Sequence, residues 1–244
     1  MLQKTNGIVL RSIKYGETSL VTNIFTSVYG VQTYMVQGVR TATAKRNRAA
    51  ALQPATLLNM VVYQQPQKNM QRIKEFDAAY IYTSLHEEVV KNSIALFSVE
   101  VLLRLLPEHA PLPEVFDLAY DYFIQIDKMP LQAIANFPLY FIIQCSRIMG
   151  YELKGGYSEE TPYLNLQEGA FTSNPPALHH YLNDEDARAI DHLLPIEDVY
   201  KLAEIQLSAA ARFRLLEWYI AFLQQHSQHM GNIKSMAVLQ AILH

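Results

Sequence analysis

The 244-residue chain has a single cysteine, Cys145, which excludes an intrachain disulfide framework and any four-thiolate zinc site. Set among apolar residues, that thiol is expected to be buried and inert. The opening residues MLQKTNGIVLRSIKYGE lack the apolar stretch of a signal peptide. The longest uncharged run, Met129–Ser146, contains Pro130, Asn136 and Pro138 and reads as a buried helix after a break, not as a membrane span. The expectation is a soluble, cytoplasmic protein with no membrane contact. Also missing are a Gly-x-x-x-x-Gly-Lys-Ser/Thr phosphate loop, a Gly-x-Ser-x-Gly elbow and a dinucleotide fingerprint. His179 and His180 are adjacent, so on a helix their side chains diverge by about 100° and cannot share a metal. His226 and His229 have ligand-pair spacing but no Glu or Cys partner at a recognisable distance. The acid pairs Glu87-Glu88 and Glu159-Glu160 and the run Asp184-Glu185-Asp186 read as solvated faces or helix starts. No enzyme, no catalytic residue, no cofactor and no metal is expected.

Acids are scarce in one part of the chain. Residues 1–80 hold ten Lys/Arg against Glu17, Glu75 and Asp77, a net of +7, whereas residues 81–244 hold ten against twenty, a net of −10. The overall charge of −3 conceals this split, and all eight histidines fall in the second part. Half of the residues are apolar, ample for a core in one large domain or two small ones. The asymmetry suggests a basic module for polyanions, residues 1–80, joined to an acidic one, residues 81–244.

The basic module is patterned as short β-prone runs between turn signals. Ile8, Leu10 and Ile13 mark the first run, Thr18–Thr26 the second, Val31–Val39 the third, Leu57–Tyr63 the fourth and Met70–Phe76 a weaker fifth. Tyr15-Gly16-Glu17 and Tyr29-Gly30 mark turns. Five strands in about seventy residues fit a closed barrel of the OB type. A sandwich fragment or an SH3-like barrel fits the periodicity nearly as well. Between the third and fourth runs, Arg40, Lys45, Arg46 and Arg48 fall within nine residues without an acid, the pattern of a phosphate-contacting loop or of a solvated surface segment. Arg11, Lys14, Arg72 and Lys74 add charge nearby. Tyr15, Phe25, Tyr29, Tyr34 and Tyr63 supply rings for stacking on unpaired bases, one or two of which are expected at a binding face and the others in the core.

From residue 81 the period lengthens towards that of a helix. Ser84–Glu87 has capping-box form and is expected to open a helical stretch. Further helices are expected over Ser93–Leu106, Glu114–Ile126, Leu131–Met149 (interrupted by Pro138 and closed by Gly150), Asp184–Leu194 (capped by Asn183 or Asp184), Ile196–Gln225 as one long helix, and Ser235–Leu243. The fold class is therefore α+β, a barrel followed by a helical bundle. Residues 150–178 break the pattern as an irregular excursion, in which Tyr163–Leu166 and Ala170–Thr172 can form a hairpin.

The segment Gly7–Ser19 (GIVLRSIKYGETS), with Ile24-Phe25-Thr26, Tyr29-Gly30, Gly38-Val39-Arg40 and Leu52-Gln53-Pro54, resembles the bacterial recombination mediator family RecO. His226, Ile233-Lys234-Ser235 and Val238-Leu239 are similar to the end of that family. The resemblance implies an OB-fold on a helical domain and a nucleoid-associated protein that binds single- and double-stranded DNA. It implies annealing of complementary strands and help in loading recombinase onto coated single strands in DNA repair, with a RecR-like protein and the C-terminal tail of single-strand-binding protein as partners. Many members carry a four-cysteine zinc module after a Met-Gly-Tyr segment. Met149-Gly150-Tyr151 is present, but residues 152–178 contain no cysteine, so no zinc is expected. Two other classes stay open: a generic OB-fold RNA- or DNA-binding protein, and a protein–protein adaptor acting through its acidic helices.

If Arg40, Lys45, Arg46 and Arg48 each meet one phosphate, single-strand affinity falls with a log–log salt slope near ~−3, about 50-fold between 50 and 200 mM salt. Changing all four to Glu is expected to remove that slope with the fold intact. An unchanged slope in filter binding would exclude the loop.

Overall fold

The computed structural model describes residues 1–39, 47–177 and 181–243. Packing divides the chain into two compact units, Met1–Lys128 and Met129–His244. In the first, β1 (Leu2–Tyr15), β2 (Ser19–Thr26), β3 (Gly30–Val36), β4 (Leu57–Tyr63) and β5 (Met70–Ala78) close a barrel in the order β1-β2-β3-β5-β4. The short helix α1 (Asn47–Ala50) lies between β3 and β4. β1 is long because it serves two partners: Leu2–Ile8 pairs with β4, and Gly7–Tyr15 with β2. A register shift between Val9 and Arg11 lets it bend from one to the other. Closure is completed by a parallel pair, Thr33↔Met70 to Met35↔Arg72, while the other pairings are antiparallel. This is the OB-like choice among the barrels that the periodicity allowed.

Inside the barrel, Val9, Leu20, Ile24, Tyr34, Val36, Leu58, Met60 and Val62 form the core, with Val39 and Leu52 from the β3–β4 connection packed into it. Tyr34 is fully buried, and its hydroxyl donates to Gln32 Oε1 at 2.9 Å, so the ring enters the core without an orphaned donor. Ser12 Oγ donates to the Leu52 carbonyl at 2.7 Å and ties that connection down.

Two helices, α2 (Val89–Leu105) and α3 (Pro113–Lys128), belong to the same packing unit as the barrel. Phe25 and Phe116 meet edge to face at 5.4 Å. The α2–α3 loop touches the start of β3, where His109 N donates to Val31 O at 3.1 Å. A Cβ on Gly30, at φ +67°, would overlap the Ala110 carbonyl, so this approach needs glycine.

Ser84–Glu87 does not open a helix. These residues form a turn ahead of α2, and the donors of Ser84 and Leu85 go to Asp127 at the end of α3. Thr83, Ser84 and Leu85 donate their backbone N–H groups to the Asp127 carboxylate at 2.8–3.1 Å. Lys91 Nζ donates to the Asp127 carbonyl at 2.6 Å and to Ser84 Oγ at 2.8 Å. The capping-box pattern was present, but a distant carboxylate satisfied the donors first.

In the second unit, a 3-10 turn over Leu131–Ala133 precedes α4 (Phe137–Ile148), which begins with Pro138 in its first turn. Cys145 is fully buried there, and burial pushes its thiol up. The excursion folds as a small sheet, β6 (Tyr163–Asn165) between β7 (Ala170–Thr172) and β8 (Tyr181–Asn183). The hairpin of β6 and β7 was legible from its turn residues; β8, equally short, joins from beyond the Pro175-Pro176 break and was not expected. Leu164, Leu166, Phe171 and Leu182 are buried, and residues 152–177 offer carboxylates but no thiolate or imidazole. That donor set does not fit the structural zinc of the resembling family.

α5 (Asp184–Leu193), α6 (Ala209–His226) and α7 (Ser235–Ile242) complete the unit. The single helix expected over Ile196–Gln225 is broken into a 3-10 segment, Val199–Glu204, and α6, which Ser208 caps by accepting from Ala211 N. Asn136 holds the break: its Nδ2 donates to Ile205 O at 2.8 Å and its Oδ1 accepts from Arg212 Nε at 3.0 Å. On α6, Trp218 stacks on Phe222 at 5.8 Å and Phe222 contacts His226, whose Nε2 donates to Leu166 O at 3.0 Å. His226 thus serves the hairpin. His179 and His180 lie outside the described residues.

Burial by itself would raise the Asp127 pKa, but the three N–H donors and the Thr83 hydroxyl outweigh it and hold the carboxyl at about 2, against an ordinary 3.8. A depressed carboxylate stabilises the fold above its unfolded pKa. This contribution is therefore expected intact above about pH 4 and lost as pH falls towards 2. Asp127→Ala is expected to destabilise the protein by about 3 kcal/mol in urea unfolding at neutral pH and to flatten this acid limb.

Candidate nucleic-acid interface

In a closed barrel, residues opposite one another on paired strands share a face. The outward residues can therefore be followed from strand to strand. One row runs Arg11, Asn23, Thr33, Met70; the next runs Ile13, Val21, Met35, Arg72, Tyr63, Leu2. Tyr15, opposite Ser19, extends the same face. Every exposed large apolar residue on the five strands lies on this belt: Leu2, Ile13, Tyr15, Tyr63 and Met70, each between 38% and 55% exposed. The second row begins and ends on β1, so the belt winds round the outside of the barrel. Beside it, Met35, Tyr63, Gln65, Lys68, Met70, Gln71 and Arg72 line a groove of about 450 Å³.

Arg11 and Arg72 stand exposed on the belt, on β1 and β5, with β2 and β3 between them one way round the barrel and β4 the other. Lys14 is exposed near the end of β1, on the alternate pleat. Lys74 sits where β5 carries one extra residue, between the pairs Val62↔Ile73 and Val61↔Glu75, and its ammonium lies 3.3 Å from the Glu75 carboxylate. Arg48, on α1, stacks over Phe76 at 5.3 Å and is not part of the belt. Arg40, Lys45 and Arg46 lie outside the described residues. Of the eight sequence candidates, the structure thus places Arg11 and Arg72 on the outward belt, and Arg72 in the groove.

The extra residue in β5 keeps the acids beyond it on the same outward pleat as Arg72. Before it, Arg72 faces the belt. Beyond it, Glu75 and Asp77 line a separate groove with Lys4 and Asn59. Of the five rings named from sequence, Phe25 and Tyr34 are buried and Tyr29 is half-buried, leaving Tyr15 and Tyr63 exposed on the belt. Sequence reasoning overlooked Lys68, Met35 and Met70. Lys68 is an isolated cation among amides, and the two methionines become neighbours only through the parallel β3–β5 register. Chemically, the face offers flat and polarizable groups for unpaired bases and cations for phosphates, with no carboxylate in the groove between them.

The family model described as "Recombination protein O N terminal" matches residues 1–82, and "Recombination protein O C terminal" matches residues 86–237. The DNA repair protein RecO of Bacteroides fragilis is 28% identical over 244 residues, covering 99% of each chain. That of Christiangramia forsetii is 26% identical over 250 residues, again 99% of each. That of Flavobacterium johnsoniae is 25% identical over 251 residues, 98% of each. The two models meet between residues 82 and 86, whereas packing groups α2 and α3 with the barrel.

If the belt stacks bases, Tyr15→Ala and Tyr63→Ala each weaken binding to a mixed-sequence single strand by about 5- to 50-fold. Phosphate contacts remain, so the salt slope is expected to hold. A fall in slope without a change in affinity at low salt would contradict stacking.

Proposed function

The chain belongs to the RecO family, and on that footing we propose a DNA repair protein whose barrel, residues 1–80, engages DNA through the outward belt. The observation that carries this reading is the groove that gathers Lys68 and Arg72 with Tyr63, Met35 and Met70 and holds no carboxylate. Unpaired bases rest on Tyr15 and Tyr63 while cations meet the backbone; a duplex, whose bases are stacked, engages the cations alone. Holding a strand with its bases accessible suits annealing, because neutralised backbones approach one another at lower electrostatic cost.

The finer role follows the family: annealing of complementary strands and help in loading recombinase onto single strands coated by single-strand-binding protein, in RecF-type repair. No bond is broken in this role, and it asks for no nucleophile, metal or cofactor. The helical residues 81–244, net −10, take protein partners, with a RecR-like protein and the tail of single-strand-binding protein as the proposed ones. Repulsion between that acidic surface and DNA keeps contact on the barrel. The proposed location is the cytoplasm, at the nucleoid; among the described residues no helix is long and apolar enough to cross a membrane.

The test is annealing of complementary strands coated with the cognate single-strand-binding protein. Acceleration by the wild type, lost in Arg11→Glu/Arg72→Glu, is the expected result. Salt-dependent binding without annealing would return the protein to a generic OB-fold nucleic-acid binder. No measurable salt-dependent DNA affinity would leave the adaptor reading.

A further inference from the structure

The β4–β5 loop, residues 64–69, has neither strand nor helix, yet it supplies one wall of the belt groove. It turns at Gln65–Lys68, where Lys68 N donates to Gln65 O at 3.0 Å and Pro66 provides the fixed φ of the turn's second position. Pro66, Gln67, Lys68 and Asn69 are all exposed, so apolar packing does not hold the turn in place. Gln71 does. It is only 3% exposed, on the inward pleat opposite Tyr34. Its Oε1 accepts from Gln65 N at 2.9 Å, and its Nε2 donates to Gln65 O at 2.8 Å and to Lys68 O at 2.6 Å.

An amide in a barrel interior is costly unless fully hydrogen-bonded, and an apolar residue there would serve the barrel core at least as well. What the amide provides is the shape of the loop. One side chain satisfies three main-chain groups spread over four residues, as a neighbouring strand would, and so fixes where the Lys68 side chain leaves the turn. Lys68 then lines the groove together with Arg72, Tyr63, Met35 and Met70.

We infer that Gln71 is a positioning residue for nucleic-acid binding: it presets the β4–β5 loop so that Lys68 closes a seat for one unpaired nucleotide. In this seat the phosphate meets Lys68 and Arg72, and the base lies against Tyr63 and the two methionine thioethers. Ordering the loop before the strand arrives removes the entropy that binding would otherwise have to supply. The inference rests on the DNA reading of the belt.

The experiment is a double-mutant cycle on the full chain, titrated with an oligothymidylate at several salt concentrations. Lys68→Ala is expected to weaken binding about 3- to 10-fold and to lower the salt slope by about 0.7. Gln71→Met, close in size and without hydrogen bonds to the loop, is expected to do the same, and the double variant to lose no more than either single one. Should Gln71→Met fold poorly in a thermal melt, two glycines inserted after Gln67 loosen the same loop from the solvent side and are expected to reproduce its loss. Losses that multiply in the cycle, or wild-type slope and affinity in Gln71→Met or in the glycine insertion, overturn the positioning role. If neither Lys68→Ala nor Arg72→Ala changes binding, the DNA reading of the groove fails, and the role of Gln71 with it.

Discussion

Closure of five strands into a barrel is the constraint on which the rest depends. Once β3 and β5 pair in parallel, every outward residue is fixed by the register, and the belt is a consequence of closure. A one-residue slip on β3 would turn Met35 inwards and bring Tyr34, with its buried hydroxyl, to the surface. The two register shifts belong to the same constraint. The first lets β1 bend between β4 and β2, and the second keeps Glu75 and Asp77 on the outward pleat that Arg72 occupies.

The barrel does not stand apart from the helices that follow it. Asp127, at the last turn of α3, gathers the N–H groups of Thr83, Ser84 and Leu85, and the α2–α3 loop seats on Gly30. Residues past the end of β5 are thereby tied back to the barrel. Sequence families and packing draw the division differently for this reason: similarity follows what is inherited as a unit, and packing follows what is buried together.

The strands were legible because alternation is a local property. Leu57–Tyr63 has the same bounds in sequence and structure, and the second run differs by one residue. Errors arose where a long-range partner overrode a local pattern. Ser84 had the spacing of a cap and served Asp127 instead; the helix expected over Ile196–Gln225 was interrupted by Asn136, at the start of α4 and 69 residues before its partner Ile205. The site divides in the same way. Arg11, Arg72, Tyr15 and Tyr63 were found by residue type, but Lys68, Met35 and Met70 needed the register and a loop held by a buried amide.

The single extra residue at Lys74 has an effect that binding constants alone do not capture. Because it keeps Glu75 and Asp77 on the outward pleat, further along β5 than Arg72, charges of opposite sign are spaced along the strand and give the outer surface an electric dipole apart from its net charge. In the field of a polyanion such a dipole feels a torque as well as a pull, which would turn the cationic groove towards the charge. On the proposed reading, a one-residue insertion in a strand would then bear on the rate of capture and not on affinity alone.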